Sequence, residues 1–90
     1  MTEYFNRFSI TMTKSQARSV SHSGQCDDDV QHLLTIPAIR RQLRKIPDAD
    51  LIAELKGYGA WTDADLANRA DNEARLIWIA GCNIAEQARL

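Results

Sequence analysis

The sequence has no long apolar run and very little cysteine. Its longest uninterrupted apolar stretch, Leu76–Gly81, is far shorter than the roughly 20 residues that a membrane-spanning helix needs. The first ten residues carry charged and polar side chains and lack the apolar segment of a secretory signal, so we expect a cytoplasmic protein. The two cysteines, Cys26 and Cys82, could pair, but reduced thiols fit such a compartment better.

The motifs that usually carry catalysis are also missing. The chain contains no nucleophile elbow, no glycine-rich phosphate loop and no pair of histidines at metal-binding spacing on one helix. Cys26 precedes three aspartates, whose negative charge suppresses the reactive thiolate. A metal site would require Cys26, His22, His32 and Cys82 to converge, and their spacing is unlike that of zinc ligands. The sequence therefore predicts no enzymatic activity, no metal and no other cofactor.

No single sign of charge dominates, because the formal net charge is -1. This value excludes a strongly basic, nonspecific nucleic-acid binder. The charges are nevertheless segregated: residues 1–25 carry +2, residues 26–35 carry -3, residues 36–47 carry +4 and residues 48–65 carry -4. Such blocks favour either capped helix ends or a surface shaped for a charged partner.

What the sequence does contain is a succession of helix signals. Ninety residues are enough for one domain, and we expect an all-α fold: a compact single domain of four or five short helices with an extended N-terminal segment. Residues 1–12 form the predicted arm or extension, since Met12 could be an alternative start, and residues 13–90 form the helical domain. Thr13 is the predicted N-cap of a helix over Lys14–Ser21, and Pro37 suits the first turn of a later helix.

Apolar spacing defines the remaining helices. Ile36, Ile39, Leu43 and Ile46 recur at three and four residues, which predicts one amphipathic helix, and Gly57 is the expected stop of the next. Thr62 and Asp65 resemble a capping box. The final helix is predicted to follow a break near residues 67–71 and to form the core. Its inward face is predicted to contain Ala70, Ala74, Ile77, Ile84 and Ala88. Gly81 should allow a neighbouring helix to pack closely.

The acidic residues are the best candidates for a functional surface. They cluster at predicted helix starts, where the helix dipole favours negative charge, so capping explains most of them. If helix packing brought these starts together, the carboxylates would instead form a patch for basic groups of a partner. Tyr58 and Trp61 are candidate interface anchors, although Trp61 could equally pack in the core. The predicted partner-binding residues are Asp27, Asp28, Asp29, Asp48, Asp50, Glu54, Tyr58 and Trp61.

Three stretches of the chain, "DDDVQHLL", "IPAIRRQLRKIPDADLIAELKGYGAW" and "NEARLIWIAGCNIAE", resemble a family of small phage and prophage proteins. The resemblance covers residues 13–88 or so, and within that family the chain is most similar to type I-F anti-CRISPR proteins. It implies a stoichiometric inhibitor that binds the crRNA-guided type I surveillance complex (Cascade/Csy) and blocks target DNA binding or strand separation. The implied setting is the cytoplasm of a phage-infected or lysogenic bacterium.

Two other functions stay open at this stage. The basic segment Arg40–Lys45 could contact DNA phosphates, which would make the protein a small phage DNA-binding or regulatory protein. The same cations are also favourable near a helix C-terminus, and no aromatic residue is interleaved with them for base stacking. A structural or assembly protein of a phage particle is the remaining possibility. The preferred interpretation involves neither direct nucleic-acid binding nor a membrane.

Overall fold

The computed structural model describes residues 2–3, 10–22 and 28–88. Strand β1 (Thr2–Glu3) pairs antiparallel with β2 (Thr11–Met12), with Thr2 opposite Met12. The helices of this part of the chain are α1 (Lys14–Ser21), α2 (Asp28–Leu33), α3 (Pro37–Arg44), α4 (Asp48–Lys56) and α5 (Arg69–Ala88), and one 3-10 turn (Asp65–Ala67) precedes α5. The predicted all-α class is confirmed. One detail differs, because α5 has 20 residues and is not short.

Local capping sets several helix boundaries where the sequence predicts them. Thr13 Oγ1 accepts a hydrogen bond from the Gln16 amide at 3.0 Å, and Gln16 Oε1 accepts one from the Thr13 amide at 2.9 Å. This reciprocal pair satisfies two amides at the start of α1. Pro37 occupies the first turn of α3, where its missing amide hydrogen costs nothing. Asp27, one of the predicted partner-binding residues, precedes α2 and lies outside the described residues.

The end of α4 differs in detail from the expectation. Gly57 follows the last helical residue, Lys56, as predicted, but its φ of -59° is right-handed. Gly59, two residues further on, has left-handed backbone, with φ of 73°. The chain therefore reverses two residues after the predicted stop, at a residue whose missing Cβ permits that conformation.

Helix α5 is the centre of the core, and α1, α2 and α4 all pack against it. Gly81 of α5 lies directly under Val20 of α1, so closely that a Cβ at residue 81 would overlap the Val20 side chain. This contact confirms the predicted close packing at Gly81. Ala70 was predicted to line the inner face, and it is exposed because α5 begins only one residue earlier.

The described end of the N-terminal segment belongs to the core. Ile10 and Met12 are 1% and 0% exposed and pack with the buried helix residues. Gln42 of α3 holds this segment in place: its Oε1 accepts the Thr11 amide at 2.7 Å, and its Nε2 donates to the Thr11 carbonyl at 3.0 Å. One side chain of α3 thus extends the hydrogen bonding of β2, which fixes Ile10 and Met12 over the core.

Candidate functional site

Two of the predicted site residues, Tyr58 and Trp61, lie in one surface groove. We call it the aromatic groove; its volume is about 370 Å³, and its lining includes Tyr58, Trp61, Trp78, Ile79, Cys82 and Glu86. Tyr58 is 47% exposed, more than any other large hydrophobic residue in the described part of the chain. Trp61 and Trp78 are half-buried and pack against the core with part of their surface. Trp61 therefore packs partly in the core, as one of its two interpretations predicts, and exposes the rest of its surface in the groove.

The loop that carries Trp61 is held against α5 by polar contacts. The guanidinium of Arg75 lies over the Trp61 ring, 5.4 Å from its centroid, which is within cation–π range. Arg75 Nη1 donates to the Asp65 carbonyl at 2.8 Å and to Asn72 Oδ1 at 3.0 Å. One cation of α5 thus fixes both the indole ring and the backbone of the following turn, so this wall of the groove is preformed.

The predicted capping pair completes that turn. Asp65 Oδ2 accepts the Thr62 amide at 2.9 Å, and Thr62 Oγ1 accepts the Asp65 amide at 3.2 Å. The hydrogen bond from the Thr62 amide, followed by that of the Thr62 side chain, lowers the pKa of Asp65 below its ordinary value, although the carboxylate is exposed. The turn is therefore most stable with Asp65 ionised.

On the opposite wall, Cys82 contributes a half-buried free thiol. Burial raises the pKa of this thiol above its ordinary value, because the thiolate loses hydration there. A neutral thiol behaves as a small apolar group. Cys82 therefore adds to the apolar surface of the aromatic groove at neutral pH.

The first acidic turn lies beside α1. Asp28 and Asp29 occupy the first turn of α2 and are exposed. Asp29 lines a small polar depression together with Ser15 and Ser19 of α1 and with Ile36, which precedes α3. This turn therefore lies near the N-terminal end of α3.

The second acidic turn lies at the other end of α3. Asp48 Oδ1 accepts a hydrogen bond from Arg69 Nη1 at 2.8 Å, and Arg69 also donates to the carbonyls of Leu43 and Ile46 at the end of α3. Because α3 has 8 residues, the two acidic turns are separated by about 12 Å of helix. Asp50 and Glu54 are half-buried and follow Asp48 on α4, one turn apart from each other.

The basic segment divides into an inner and an outer part. Arg40 belongs to the basic segment that could contact DNA phosphates, but its Nη1 is 2.8 Å from Glu73 Oε1 and its side chain is only 32% exposed. Arg41, Arg44 and Lys45 are exposed. Their spacing places Arg41 and Arg44 of α3, and Lys45 directly after it, on one side of the helix end.

Two buried polar residues of α5 were not found from the sequence. Asn72 is 2% and Glu73 is 5% exposed. Asn72 Nδ2 donates to the Leu66 carbonyl at 2.9 Å, and Glu73 accepts from both Arg40 and Arg69. The four-residue spacing of Arg69 and Glu73 was the available signal, but it does not show that the pair faces inward.

Within residues 2–3, 10–22 and 28–88, no three histidine, cysteine, aspartate or glutamate side chains are grouped as they would be around a metal ion. In the same residues, none of the helices combines the length and apolar character required to cross a membrane.

Comparison with known proteins gives no assignment: no family model, no curated protein and no solved structure matches this chain.

Proposed function

We propose that this protein binds another protein through the surface around the aromatic groove and thereby acts as an inhibitor. The observation that carries this proposal is that Tyr58 and Trp61, with Trp78, line one surface groove of about 370 Å³. Aromatic residues in a partly formed pocket are the commonest anchors of protein interfaces. The groove wall is held in place before any partner arrives, which lowers the entropic cost of binding.

The proposed partner is the crRNA-guided type I-F surveillance complex, and the proposed effect is to block target DNA binding or strand separation. This choice follows from the resemblance of residues 13–88 to type I-F anti-CRISPR proteins. The charge of the exposed acidic turns supports it: Asp28 and Asp29 are exposed, and the Asp48 side chain is 76% exposed although one of its oxygens is bonded to Arg69. Carboxylates in such positions complement lysines and arginines that hold DNA phosphates.

A DNA-binding or regulatory function is the second candidate. The exposed face formed by Arg41, Arg44 and Lys45 favours it, since three cations on one helical turn suit a phosphate backbone. The contribution of Arg40 to such a face is reduced, because its guanidinium already pairs with Glu73 inside the protein. The inhibitor is preferred for that reason.

A gel-shift titration at two salt concentrations separates the two candidates. The inhibitor model predicts that the purified protein leaves target DNA unshifted, and that it abolishes the shift caused by the surveillance complex at near-stoichiometric ratios. Direct binding of DNA by the protein alone, weakening steeply with salt, would favour the regulator instead. An undiminished DNA shift by the complex in the presence of excess protein would refute the inhibitor.

Charge reversal then tests the acidic turns. The Asp28→Lys/Asp29→Lys double variant and the Glu54→Lys variant are each expected to weaken binding to the complex at least tenfold. Asp71→Lys is the matched control, because Asp71 also occupies the first turn of a helix but is not one of the predicted binding residues. A lysine at residue 71 interacts unfavourably with the helix dipole, as a lysine at residue 28 or 29 does. Unchanged affinity in all of the reversed variants would remove the electrostatic part of the proposal.

A further inference from the structure

The chemistry of the aromatic groove selects a particular kind of side chain. Its wall combines the rings of Tyr58, Trp61 and Trp78 with the apolar surface of Ile79 and Cys82. A single carboxylate, that of Glu86 in the last turns of α5, lies among the lining residues. The groove is thus lined mainly by apolar surface and carries one carboxylate.

The position of Glu86 on α5 adds to that negative charge. Carbonyl groups at a helix C-terminus have no partner within the helix and carry the negative end of its dipole. Glu86 lies two residues before Ala88, the last residue of α5 that the structure describes. Arg75, whose guanidinium lies 5.4 Å from the centroid of the Trp61 ring, donates to the Asp65 carbonyl and to Asn72.

We propose that the aromatic groove binds a lysine or arginine side chain of the partner, with its aliphatic stem against Trp78 and Ile79 and its charged group near the aromatic rings and Glu86. Long cationic side chains bury their stems on apolar surface and keep the charged end near polar groups. Aromatic faces attract such cations, and a carboxylate beside them adds to the attraction. The inference names the group of the partner that the groove recognises, so its relevance to inhibition rests on the proposed function.

The two tryptophans provide a direct measurement. The chain contains 2 tryptophans, both of them in the groove, so its ¹⁵N spectrum has two indole N–H signals that report on the site. N-acetyl-arginine amide is titrated into the full-length protein, and N-acetyl-norleucine amide serves as the neutral probe with a similar stem. We expect the arginine probe to shift both indole signals at millimolar concentrations. Its dissociation constant should be at least threefold lower than that of the norleucine probe.

A matched variant tests the carboxylate. In Glu86→Gln the arginine probe should bind about two- to fivefold more weakly, while the norleucine probe should bind as before. Equal binding of the two probes would show an ordinary apolar pocket and overturn the proposal. Failure of the arginine probe to move either signal would also overturn it. Movement of the signals on increasing protein concentration alone would do the same, since it would show that a second copy of the chain occupies the groove.

Binding to the surveillance complex separates this inference from the proposed function. Glu86→Lys should weaken inhibition at least tenfold, and its folding is checked by thermal unfolding. If the wild type inhibits and Glu86→Lys inhibits equally well, the groove inference fails while the proposed function stands. If the wild type does not inhibit the complex at all, the proposed function fails, and the indole titration still decides whether the groove binds cations.

Discussion

Arg69 Nε lies 3.1 Å from Glu73 Oε2, and this pair joins three helices. The remaining nitrogens of Arg69 donate to the carbonyls of Leu43 in α3 and of Ile46 just after it, and to Asp48 at the start of α4. The other oxygen of Glu73 accepts from Arg40 of α3 at 2.8 Å. A buried carboxylate is thereby neutralised from two sides, and the guanidinium adds a second hydrogen bond to the Leu43 carbonyl, which already accepts the Ile46 amide.

Removing the Arg69 side chain should therefore lower the free energy of unfolding. We expect Arg69→Ala to destabilise the fold by an amount near the lower end of roughly 3–5 kcal/mol, because it leaves Glu73 partly unpaired although Arg69 itself is partly exposed. Urea unfolding followed by circular dichroism measures the change. Arg44→Ala, which removes an exposed arginine of α3, should stay within about 0.5 kcal/mol. Equal effects of the two substitutions would contradict the role assigned to Arg69.

Gly81 and Val20 give a prediction about packing. Gly81→Ala should destabilise the protein by about 1–3 kcal/mol, because the new methyl group overlaps Val20 of α1. The effect opposes the usual gain when alanine replaces glycine inside a helix. Adding Val20→Ala should recover part of the loss, with a coupling energy of about 0.5–3 kcal/mol in a double-mutant cycle. Strictly additive effects would mean that the two residues are not in close contact.

The hydrogen bonds between Thr62 and Asp65 predict that the free energy of unfolding depends on pH. Because the pKa of Asp65 is lower in the folded protein than its ordinary value, the ionised carboxylate stabilises the fold above that ordinary value. The stabilisation is lost as the pH falls through the lowered pKa. The difference in unfolding free energy between wild type and Asp65→Asn should therefore shrink between about pH 5 and pH 2.

Urea unfolding at a series of pH values measures this difference. Asp63→Asn is the control, since Asp63 is a neighbouring carboxylate that pairs with Lys56 on the surface. A wild-type advantage over Asp65→Asn that stays constant across the acid range would show that the hydrogen bonds to Asp65 do not depend on its charge.

The burial of Cys82 predicts that its thiol is alkylated slowly. Because burial raises its pKa, the thiolate should form only at a pH above that at which an exposed cysteine ionises. In a Cys26→Ser background, the rate of alkylation by iodoacetamide should have its midpoint at higher pH in the folded protein than in the same protein unfolded in guanidinium. Identical pH profiles in the two states would place Cys82 in contact with bulk water.

The limits of the helices were predictable because the interactions that set them are local. Thr13 with Gln16, and Thr62 with Asp65, are three residues apart, so each pair can be recognised before any fold is known. The apolar spacing of α3 likewise identified its buried side, with Ile39 and Leu43 at 1% and 0% exposure. The acidic residues in the first turns of α2 and α4 also follow a local rule, because the helix dipole favours negative charge there.

What the sequence by itself determined, then, is the all-α class, the positions of the helix starts and the apolar faces. The tertiary structure alone decided which helix meets which. It turned Arg40 inward to Glu73, 33 residues away, and it brought Trp61 and Trp78 together in one groove. These contacts depend on how α5 packs against α3, α4 and the loop after α4. Spacing along one helix specifies the direction of a side chain around that helix, but the neighbour that it meets is fixed only when the whole core packs.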